Sequence, residues 1–499
     1  MVAVRRDWRK PMWQLRLPDC ATWLALCLCL GLAGVCSVAE GDNGDGEVSG
    51  RQIEERDVMH GAFLKPPFTC AALSDPDIYA EGVMASMRQL VAGEPYWFFR
   101  TEVDLQQSFP LDAASRQAFA ELVERLERRG VRLVVMLQPT RGLMHADALV
   151  SPWKERYSRA AARQSFLEKA QTLRSLGAMV VDMEPVLTGK HEQEYFFRRD
   201  HHWTPYGAQV SARQVAKAML ADPGIDQLAE MTFETRPGIL LRKMGTMNVA
   251  VKVVCGNAYN YQWVRGSVTV PKEGMDSADT LFGDVATPAI ALVGTSNSDN
   301  RDDRYKNYNF QGFLQQYLSR DVVNFAMTGG GATGSLEDVL LSEAYQNGQF
   351  RYLIWELPVS YAIDDQSIWR QLLPEASGGC TDKTLLASDT VTLPISEADE
   401  RAEVLANAGQ HRRVTAGKSH LLLDMNFSAN NLKEFYVLAY YDNGQREKIR
   451  IRRPARLDTG RFMLRLDPPG RQSNLLSVLL EFEQPVAEAM KVETSLCDY

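Results

Sequence analysis

The sequence predicts an α/β domain built on a doubly wound, largely parallel sheet, followed by an all-β sandwich. Two observations carry this prediction. Between about residues 57 and 372, short and continuously apolar segments alternate with segments of helical period, as parallel strands and their crossover helices do. After Ser377, Gly378 and Gly379, the pattern changes to short strands joined by turns over residues 380–499. We therefore expect two domains, with ligands of the first binding beyond the carboxyl ends of its strands.

Residues 1–39 have the composition of a secretory signal peptide. Five basic residues precede an apolar run over 21–36, and the small residues at 37–39 form a plausible cleavage point. The run is shorter than the roughly 20 residues that span a bilayer. A retained membrane anchor, and a twin-arginine signal at Arg5 and Arg6, are the alternatives. We expect the chain to be exported and its mature form to begin with a disordered segment over 40–56.

Within residues 57–372 the pattern predicts several helices and five buried strands. Residues 113–129 repeat apolar side chains at helical spacing and stop at Gly130. The strands, each reading as apolar on both faces, are 131–137, 179–183, 290–293, 322–325 and 352–357. Further helices are predicted at 206–220 and 311–319.

The second domain has the alternating pattern of an antiparallel sandwich. Its predicted strands are 420–427, 435–441, 445–452, 461–466 and 475–482. The tripeptide Asp-Asn-Gly at 442–444 is a strong hairpin turn. We therefore expect a β-sandwich over 380–499.

Four of the eight cysteines lie outside the signal-like segment. These are Cys70, Cys255, Cys380 and Cys497, an even set in a chain expected to be exported, which indicates disulfides with three possible pairings. We favour Cys70 with Cys255 and Cys380 with Cys497, because the second pair brackets the predicted sandwich. No two of the four have the spacing of metal ligands, so a zinc site is disfavoured.

Charge is divided unevenly along the chain. The net charge is -8, so the chain lacks the general basic field that nucleic-acid binding requires. Residues 411–471 nevertheless hold 13 basic and six acidic residues. Arg446, Lys448, Arg450 and Arg452 alternate along one predicted strand and share a face. This basic row favours binding of an acidic polysaccharide, since Arg side chains fit carboxylates. A charged edge strand that resists aggregation is the alternative.

A candidate nucleophile follows the strand predicted at 290–293. Gly294, Thr295 and Ser296 come directly after it, which presents the serine at the carboxyl edge of the sheet. A serine hydroxyl is a weak nucleophile until a base accepts its proton. Taken alone, this motif is also typical of a helix cap.

His202 is the candidate base for this serine, and Asp200 is the candidate carboxylate that orients it. They stand two apart just before the helix predicted at 206–220, so the carboxylate can hold one ring nitrogen while the other faces Ser296. The alternatives are a structural turn and a metal site on the histidine pair, for which no further clustered ligands are evident.

Thr328 and glycines 329–331 follow the strand predicted at 322–325. Glycines let backbone N–H groups approach an oxyanion closely, which makes Gly330 a candidate substrate-binding residue. A simple turn is the alternative. No Gly-Lys-Ser or Gly-Lys-Thr follows, which disfavours a phosphate-binding loop.

Several motifs occur together in one order. They are Met-Leu-Gln-Pro-Thr-Arg-Gly at 136–142, Asp-x-His-Trp-Thr-Pro-x-Gly at 200–207, Gly-Thr-Ser-x-Ser at 294–298, Tyr-Asn-Phe-x-Gly-Phe at 308–313, the glycines at 329–331, and Leu-Ile-Trp-Glu-Leu-Pro at 353–358. In these motifs the chain resembles the periplasmic alginate O-acetyltransferases over nearly all of the mature sequence. The resemblance implies an SGNH-hydrolase-like fold with a permuted motif order, in which Asp-x-His precedes the serine, and a carbohydrate-binding module after it.

The resemblance also implies roles for individual residues. Ser296 is then the nucleophile, His202 the general base and Asp200 its orienting carboxylate, while Tyr308 matches a tyrosine near the active site. The implied reaction transfers acetyl groups to mannuronate hydroxyls of alginate in the periplasm, through an acetyl-serine. The implied partners are the anionic polymer, an acetyl donor protein of a membrane acetylation system and alginate secretion-complex proteins. No motif in the sequence calls for a metal, nucleotide or flavin cofactor. A secreted carbohydrate esterase and a non-catalytic alginate-binding scaffold stay open as alternatives.

Overall fold

The computed structural model describes residues 69–272, 287–300, 307–406, 420–468 and 473–499. The signal peptide predicted at 1–39 and the disordered segment predicted at 40–56 lie outside the described residues. Among the helices that are described, none is both long and apolar enough to cross a membrane.

A five-stranded parallel sheet forms the centre of the first domain. The strands of this domain are β1 (Leu90–Gly93), β2 (Trp97–Arg100), β3 (Arg132–Gln138), β4 (Met179–Val180), β5 (Phe233–Lys243), β6 (Gln262–Pro271), β7 (Ile290–Val293), β8 (Val322–Asn324) and β9 (Tyr352–Pro358). The central sheet has the order β4, β3, β9, β7, β8, and all neighbouring pairs are parallel. The chain winds outward twice, from β3 to β4 and from β7 to β8, which confirms the predicted doubly wound sheet.

Twelve α-helices accompany these strands in the part of the chain that the structure describes. They are α1 (Thr101–Asp104), α2 (Ala113–Arg128), α3 (Arg141–His145), α4 (Trp153–Arg156), α5 (Arg159–Ser175), α6 (Glu184–Thr188), α7 (Pro205–Met219), α8 (Thr246–Cys255), α9 (Phe310–Leu318), α10 (Gly334–Leu341), α11 (Glu343–Gln346) and α12 (Gln366–Ala376). Helix α2 packs on β3, α5 on β4 and α10 on β7. Their apolar faces join both faces of the sheet in one core, in which Leu122, Val134 and Ile354 are fully buried.

The sequence pattern does not predict two antiparallel pairs that stand beside the central sheet. One joins β1 to β2, and the other joins β5 to β6. Pro237 and Gly238 interrupt β5, and the register shifts between Pro237 and Leu240. Because Pro and Gly inside a run argue against a strand, the pattern of β5 reads as a loop. Strands β5 and β6 both pack against α9, the helix that follows Tyr308 and Asn309.

The second domain is a sandwich of two four-stranded antiparallel sheets. Its strands are β10 (Leu385–Leu393), β11 (Arg401–Ala406), β12 (Leu421–Phe427), β13 (Glu434–Tyr441), β14 (Arg446–Arg452), β15 (Arg461–Leu466), β16 (Leu475–Glu481) and β17 (Met490–Asp498). One sheet has the order β10, β17, β12, β15 and the other β11, β16, β13, β14. Leu423, Val437, Leu464 and Leu480 are fully buried between them. The predicted all-β fold is confirmed, with three strands, β10, β11 and β17, beyond those predicted.

Two disulfides join distant parts of the chain. Cys70 pairs with Cys255 at the end of α8, and Cys380 pairs with Cys497 in β17. This is the pairing that the sequence favours. The second bond links the first residues of the sandwich to its last strand.

A buried ion cluster joins the two domains. Arg453, which follows β14, donates from Nε to Oε1 of Glu337 (3.0 Å) and from Nη2 to Oε1 of Glu375 (3.3 Å). The side chains of Arg453 and Glu375 are fully buried. Because breaking a buried pair leaves an uncompensated charge, this cluster fixes the sandwich against the α/β domain.

Candidate active site

Ser296 lies in a tight turn at the carboxyl end of β7. The N–H of Ser298 donates to the carbonyl oxygen of Thr295 (3.0 Å), which closes the turn. Thr295, Asn297 and Ser298 are buried, whereas Ser296 is partly exposed. The turn therefore presents Ser296 at the carboxyl edge of the sheet, where the sequence predicts it.

Asp200 and His202 lie in the loop that precedes α7. A backbone bridge pairs Phe196 with Trp203 and draws the two ends of this loop together. Thr204 caps α7 with its side-chain oxygen. This cap fixes the residues just after His202.

Arg141, the first residue of α3, holds the same loop from the interior. Its buried guanidinium donates to the backbone carbonyl oxygens of Phe98 (2.8 Å), Phe197 (2.6 Å), Arg198 (2.9 Å) and Asp200 (2.7 Å). Burial lowers the pKa of Arg141 to about 10, so the group stays charged at neutral pH. In the sequence Arg141 is evident only as part of the motif at 136–142, since its four acceptors lie far away along the chain.

The structure brings Asp200, His202 and Ser296 together. Nε2 of His202 lies 2.8 Å from Oγ of Ser296, and Nδ1 of His202 is hydrogen-bonded to Oδ1 of Asp200. Asp200 also accepts the backbone N–H groups of His202 (3.0 Å) and Thr246 (2.9 Å). The carboxylate is thus held by three donors, and the imidazole stands between it and the serine hydroxyl. This is the relative placement that activation of a serine nucleophile requires.

The electrostatics of the group favour a neutral imidazole beside an ionised carboxylate. Burial alone raises the pKa of Asp200, but the neighbouring His202 and Lys243 outweigh it and hold that pKa well below its ordinary value. Burial lowers the pKa of His202, against the opposing effect of the Asp200 charge, and Lys243 and Arg100 lower it further. At neutral pH His202 is therefore ready to accept a proton.

Asn297 ties the serine turn to the histidine loop. Its Oδ1 accepts the backbone N–H of Trp203 (3.1 Å), and its backbone oxygen accepts the indole N–H of Trp203 (2.9 Å). Its amide nitrogen donates to Oε1 of Gln138 at the end of β3 (3.1 Å). One side chain thus joins three of the motifs found in the sequence. The sequence alone indicates no role for Asn297, although its position directly after Ser296 is a signal.

Tyr308 lies beside this group, buried to 1% exposure. The centre of its ring is 5.5 Å from that of His202. Nζ of Lys243 lies 4.9 Å from the centre of the same ring, within the range of a cation–π contact. The structure thus places Tyr308 against the histidine, and its role at the site stays a prediction.

His201 points to a different partner from that of His202. Its Nδ1 lies 2.7 Å from Oγ1 of Thr246. Asp200, His201 and His202 do offer potential metal ligands within 4.8 Å of one another. However, the Asp200 and His202 atoms of that set face each other in the hydrogen bond described above, so the arrangement fits a proton relay better than a metal centre.

Comparisons with known proteins identify the family and the domains of the chain. The family model described as "SGNH hydrolase-like domain, acetyltransferase AlgX" matches residues 90–359, and a model described as "C-terminal carbohydrate-binding module" matches residues 379–499. The chain is 33% identical to the alginate biosynthesis protein AlgX of Pseudomonas aeruginosa over 431 residues, which cover 86% of this chain and 88% of that protein.

The chain belongs to the AlgX family. It is also 33% identical to AlgX of Azotobacter vinelandii, covering 86% of this chain and 87% of that protein. The probable alginate O-acetylase AlgJ of Azotobacter vinelandii is 29% identical over 54% of this chain and 69% of its own length. The solved structure of Pseudomonas aeruginosa AlgX superimposes with a TM-score of 0.77 at 32% identity, covering 86% of this chain and 100% of that one. The SGNH-hydrolase-like fold with its carbohydrate-binding module is therefore confirmed.

In this member of the AlgX family, the basic row lies in the carbohydrate-binding module on β14, an edge strand. Arg446, Lys448, Arg450 and Arg452 are exposed and alternate with less exposed residues. Two of them already face acidic groups, since Lys448 pairs with Glu481, and Arg450 pairs with Glu434 and with Glu483 (3.7 Å). The row is thus a partly neutralised surface. Its role in binding a polysaccharide remains a prediction.

Gly330 and Arg452 line one cavity between the two domains. The cavity has a volume of about 550 Å³, and its wall also includes Lys433 and Arg453. The N–H of Gly330 donates to the carbonyl oxygen of Met327 (3.3 Å). The structure therefore joins one end of the basic row to the glycine loop.

Proposed function

We propose that this protein is a periplasmic polysaccharide O-acetyltransferase that adds acetyl groups to mannuronate residues of alginate. The observation that carries the proposal is the position of His202, with Asp200 at one ring nitrogen and Ser296 at the other, 2.8 Å away. Relatives of this chain are named alginate biosynthesis protein AlgX and probable alginate O-acetylase AlgJ, which supports the choice of polymer and of transferred group.

The proposed reaction has two halves that use the same three residues. In the first, Oγ of Ser296 attacks the acetyl carbonyl carbon of a donor while Nε2 of His202 takes the hydroxyl proton. His202 then returns that proton to the departing group, and an acetyl ester on Ser296 remains. In the second, a mannuronate hydroxyl gives its proton to His202 and attacks the ester. The new sugar acetate leaves, and the proton returns to Ser296.

Asp200 supports both halves through His202. It fixes the tautomer that places the Nδ1 proton towards the carboxylate and leaves Nε2 free to accept. Its negative charge also stabilises the imidazolium formed in each half. The three N–H donors that Asp200 accepts keep it ionised in a buried position.

The sandwich is the proposed binding module for the acidic polymer, which it would bind and protect during export. The basic row and the cavity at Arg452 would face the uronate carboxylates, for which Arg side chains are well suited. The periplasm is the proposed location, since the two disulfides are typical of exported proteins. An acetyl donor protein of a membrane acetylation system and alginate secretion-complex proteins are the proposed protein partners.

Incubation of the purified protein with an activated acetyl ester and mannuronate oligomers tests the proposal. We expect acetylated oligomers in the mass spectrum and their loss in Ser296→Ala. Ser388→Ala, which changes an exposed serine on β10, is the matched control and should behave as the wild type.

The products separate this function from the two alternatives. Free acetate without transfer, even at high oligomer concentration, identifies a carbohydrate esterase, since water then resolves the acetyl-serine. Polymer binding without acetate or transfer identifies a non-catalytic scaffold. A Ser296→Ala variant that acetylates the oligomers at the wild-type rate rules out Ser296 as the nucleophile.

A further inference from the structure

A carboxyl group lies directly beneath the serine turn and takes no part in the reaction described above. Glu356 is in β9, which lies between β3 and β7 in the central sheet, and it is fully buried. It belongs to the motif at 353–358, whose other residues are apolar or Pro. Burial raises the pKa of Glu356 to about 7. Burying a carboxyl group in the middle of a sheet costs free energy unless hydrogen bonds compensate for the lost solvation, so Glu356 is expected to have specific partners.

The partners of Glu356 lie on both sides of Ser296. Its Oε2 accepts the backbone N–H of Thr295 (2.7 Å), the hydroxyl of Thr295 (2.9 Å) and the hydroxyl of Ser298 (3.2 Å). These residues precede and follow the proposed nucleophile in the turn. One oxygen atom thus fixes the peptide plane between Gly294 and Thr295 and the side chain of Ser298, which ends the turn.

Gly294 shows how closely the carboxyl group approaches the backbone. A Cβ atom at Gly294 would lie 2.6 Å from Oε2 of Glu356 and 3.0 Å from its Cβ. Any side chain there would push β9 and the serine turn apart. The carboxyl group of Glu356 can therefore approach the turn this closely only because residue 294 is a glycine.

We propose that Glu356 is a positioning residue, whose carboxyl group holds the turn at 294–298 so that Oγ of Ser296 meets Nε2 of His202. The inference rests on the proposed function, in which Ser296 is the nucleophile. Glu356 acts through Thr295 and Ser298 and does not touch the substrate. Nucleophilic attack depends steeply on distance and alignment, so a shift of about 1 Å in the turn is expected to cost about 100-fold in rate.

Two replacements of Glu356 test the proposal. Glu356→Leu keeps the approximate volume and removes every acceptor. We expect kcat for an activated acetyl ester to fall about 100-fold, with KM within about threefold, because ground-state binding is retained. Glu356→Gln keeps one oxygen that can accept the same donors, so we expect a loss of only about 3–10-fold, a partial rescue by the conservative variant. The matched control is Glu127→Gln, an exposed glutamate on α2, which should keep kcat within about twofold of the wild type.

Labelling of Ser296 by a fluorophosphonate gives a readout that does not depend on sugar or acetyl donor. We expect the labelling rate to fall in parallel with kcat across the Glu356 variants. A folded Glu356→Leu variant with wild-type kcat and labelling rate overturns the proposal. If Glu356→Leu does not fold, Thr295→Val is the alternative, because it removes one hydroxyl donor at nearly constant shape. Wild-type labelling rates in both Thr295→Val and Glu356→Gln then overturn the proposal.

The same experiments separate this inference from the proposed function. If the wild type labels at Ser296 but transfers no acetyl group, the proposed function fails while the labelling rates still decide the role of Glu356. If Ser296→Ala is inactive and Glu356→Leu is fully active, the proposed function stands and the inference about Glu356 is wrong.

Discussion

Replacement of Asp200 by asparagine tests the proposed relay most sharply, because it changes one atom in a site whose partners are all hydrogen-bond donors. Asp200 accepts from Nδ1 of His202, from the backbone of His202 (3.0 Å) and from the backbone of Thr246 (2.9 Å). An asparagine has one accepting oxygen and one amide group. If the amide faces His202, Nδ1 must accept, and the proton then sits on Nε2, where it blocks transfer from Ser296.

The opposite orientation is also unfavourable. The amide then meets the N–H of Thr246, two donors facing each other, and the imidazolium loses its negative partner. Either way we expect kcat for an activated acetyl ester to fall about 10³–10⁴-fold, equivalent to roughly 4–5.5 kcal/mol in the barrier. The wild-type thermal transition should be largely kept, and Asp77→Asn, on the surface, is the control. A folded Asp200→Asn variant with more than about a tenth of wild-type kcat refutes the role given to Asp200.

Three further predictions follow from the geometry. The kcat/KM for an ester falls as pH drops through the pKa of His202, because the protonated ring cannot accept a proton. Burial holds that pKa below its ordinary value of 6.5, so the midpoint of the pH profile lies below pH 6.5. A midpoint above pH 7 contradicts this prediction. Arg141→Met removes the guanidinium that donates to four carbonyl oxygens and lies 3.4 Å from the buried carboxylate of Asp104, so we expect the free energy of unfolding in urea to fall by about 3–5 kcal/mol; a loss under about 1 kcal/mol would count against it. Replacing both Cys380 and Cys497 by serine opens a loop that spans a separation of 117 residues. We expect the free energy of unfolding of the sandwich in urea to fall by about 2–5 kcal/mol, and an unchanged value contradicts this prediction.

The elements that carry the proposed triad could be predicted because their signals are local. Strand β7 is four consecutive apolar residues followed by Gly294, and its buried position in the sheet follows from that pattern. Asp200 and His202 are two apart, next to a capping threonine and a proline that mark the start of α7. Such short-range chemistry does not depend on where the rest of the chain lies.

The residues that support the triad could not be predicted, because their partners come from distant segments. In the sequence Glu356 is a single polar residue within an apolar strand. Only the parallel pairing of β9 with β7 places its carboxyl group next to Thr295. Arg141 meets carbonyl oxygens more than 40 residues away in the chain. In the same way, β5 could not be predicted, because Pro237 interrupts its pattern and the register shifts after Pro237. Only the pairing with β6 identifies this segment as a strand.

Direct detection of an acetyl group on Ser296 is the measurement that tests the central claim. The wild-type protein is mixed briefly with an activated acetyl ester, quenched in acid and digested, and the peptide that contains Ser296 is examined by mass spectrometry. We predict one added acetyl group on Ser296, which disappears when mannuronate oligomers are added before the quench and reappears on the sugar. Turnover of the ester with no acetyl group on Ser296 at any time, or with the label on another residue, would contradict the account.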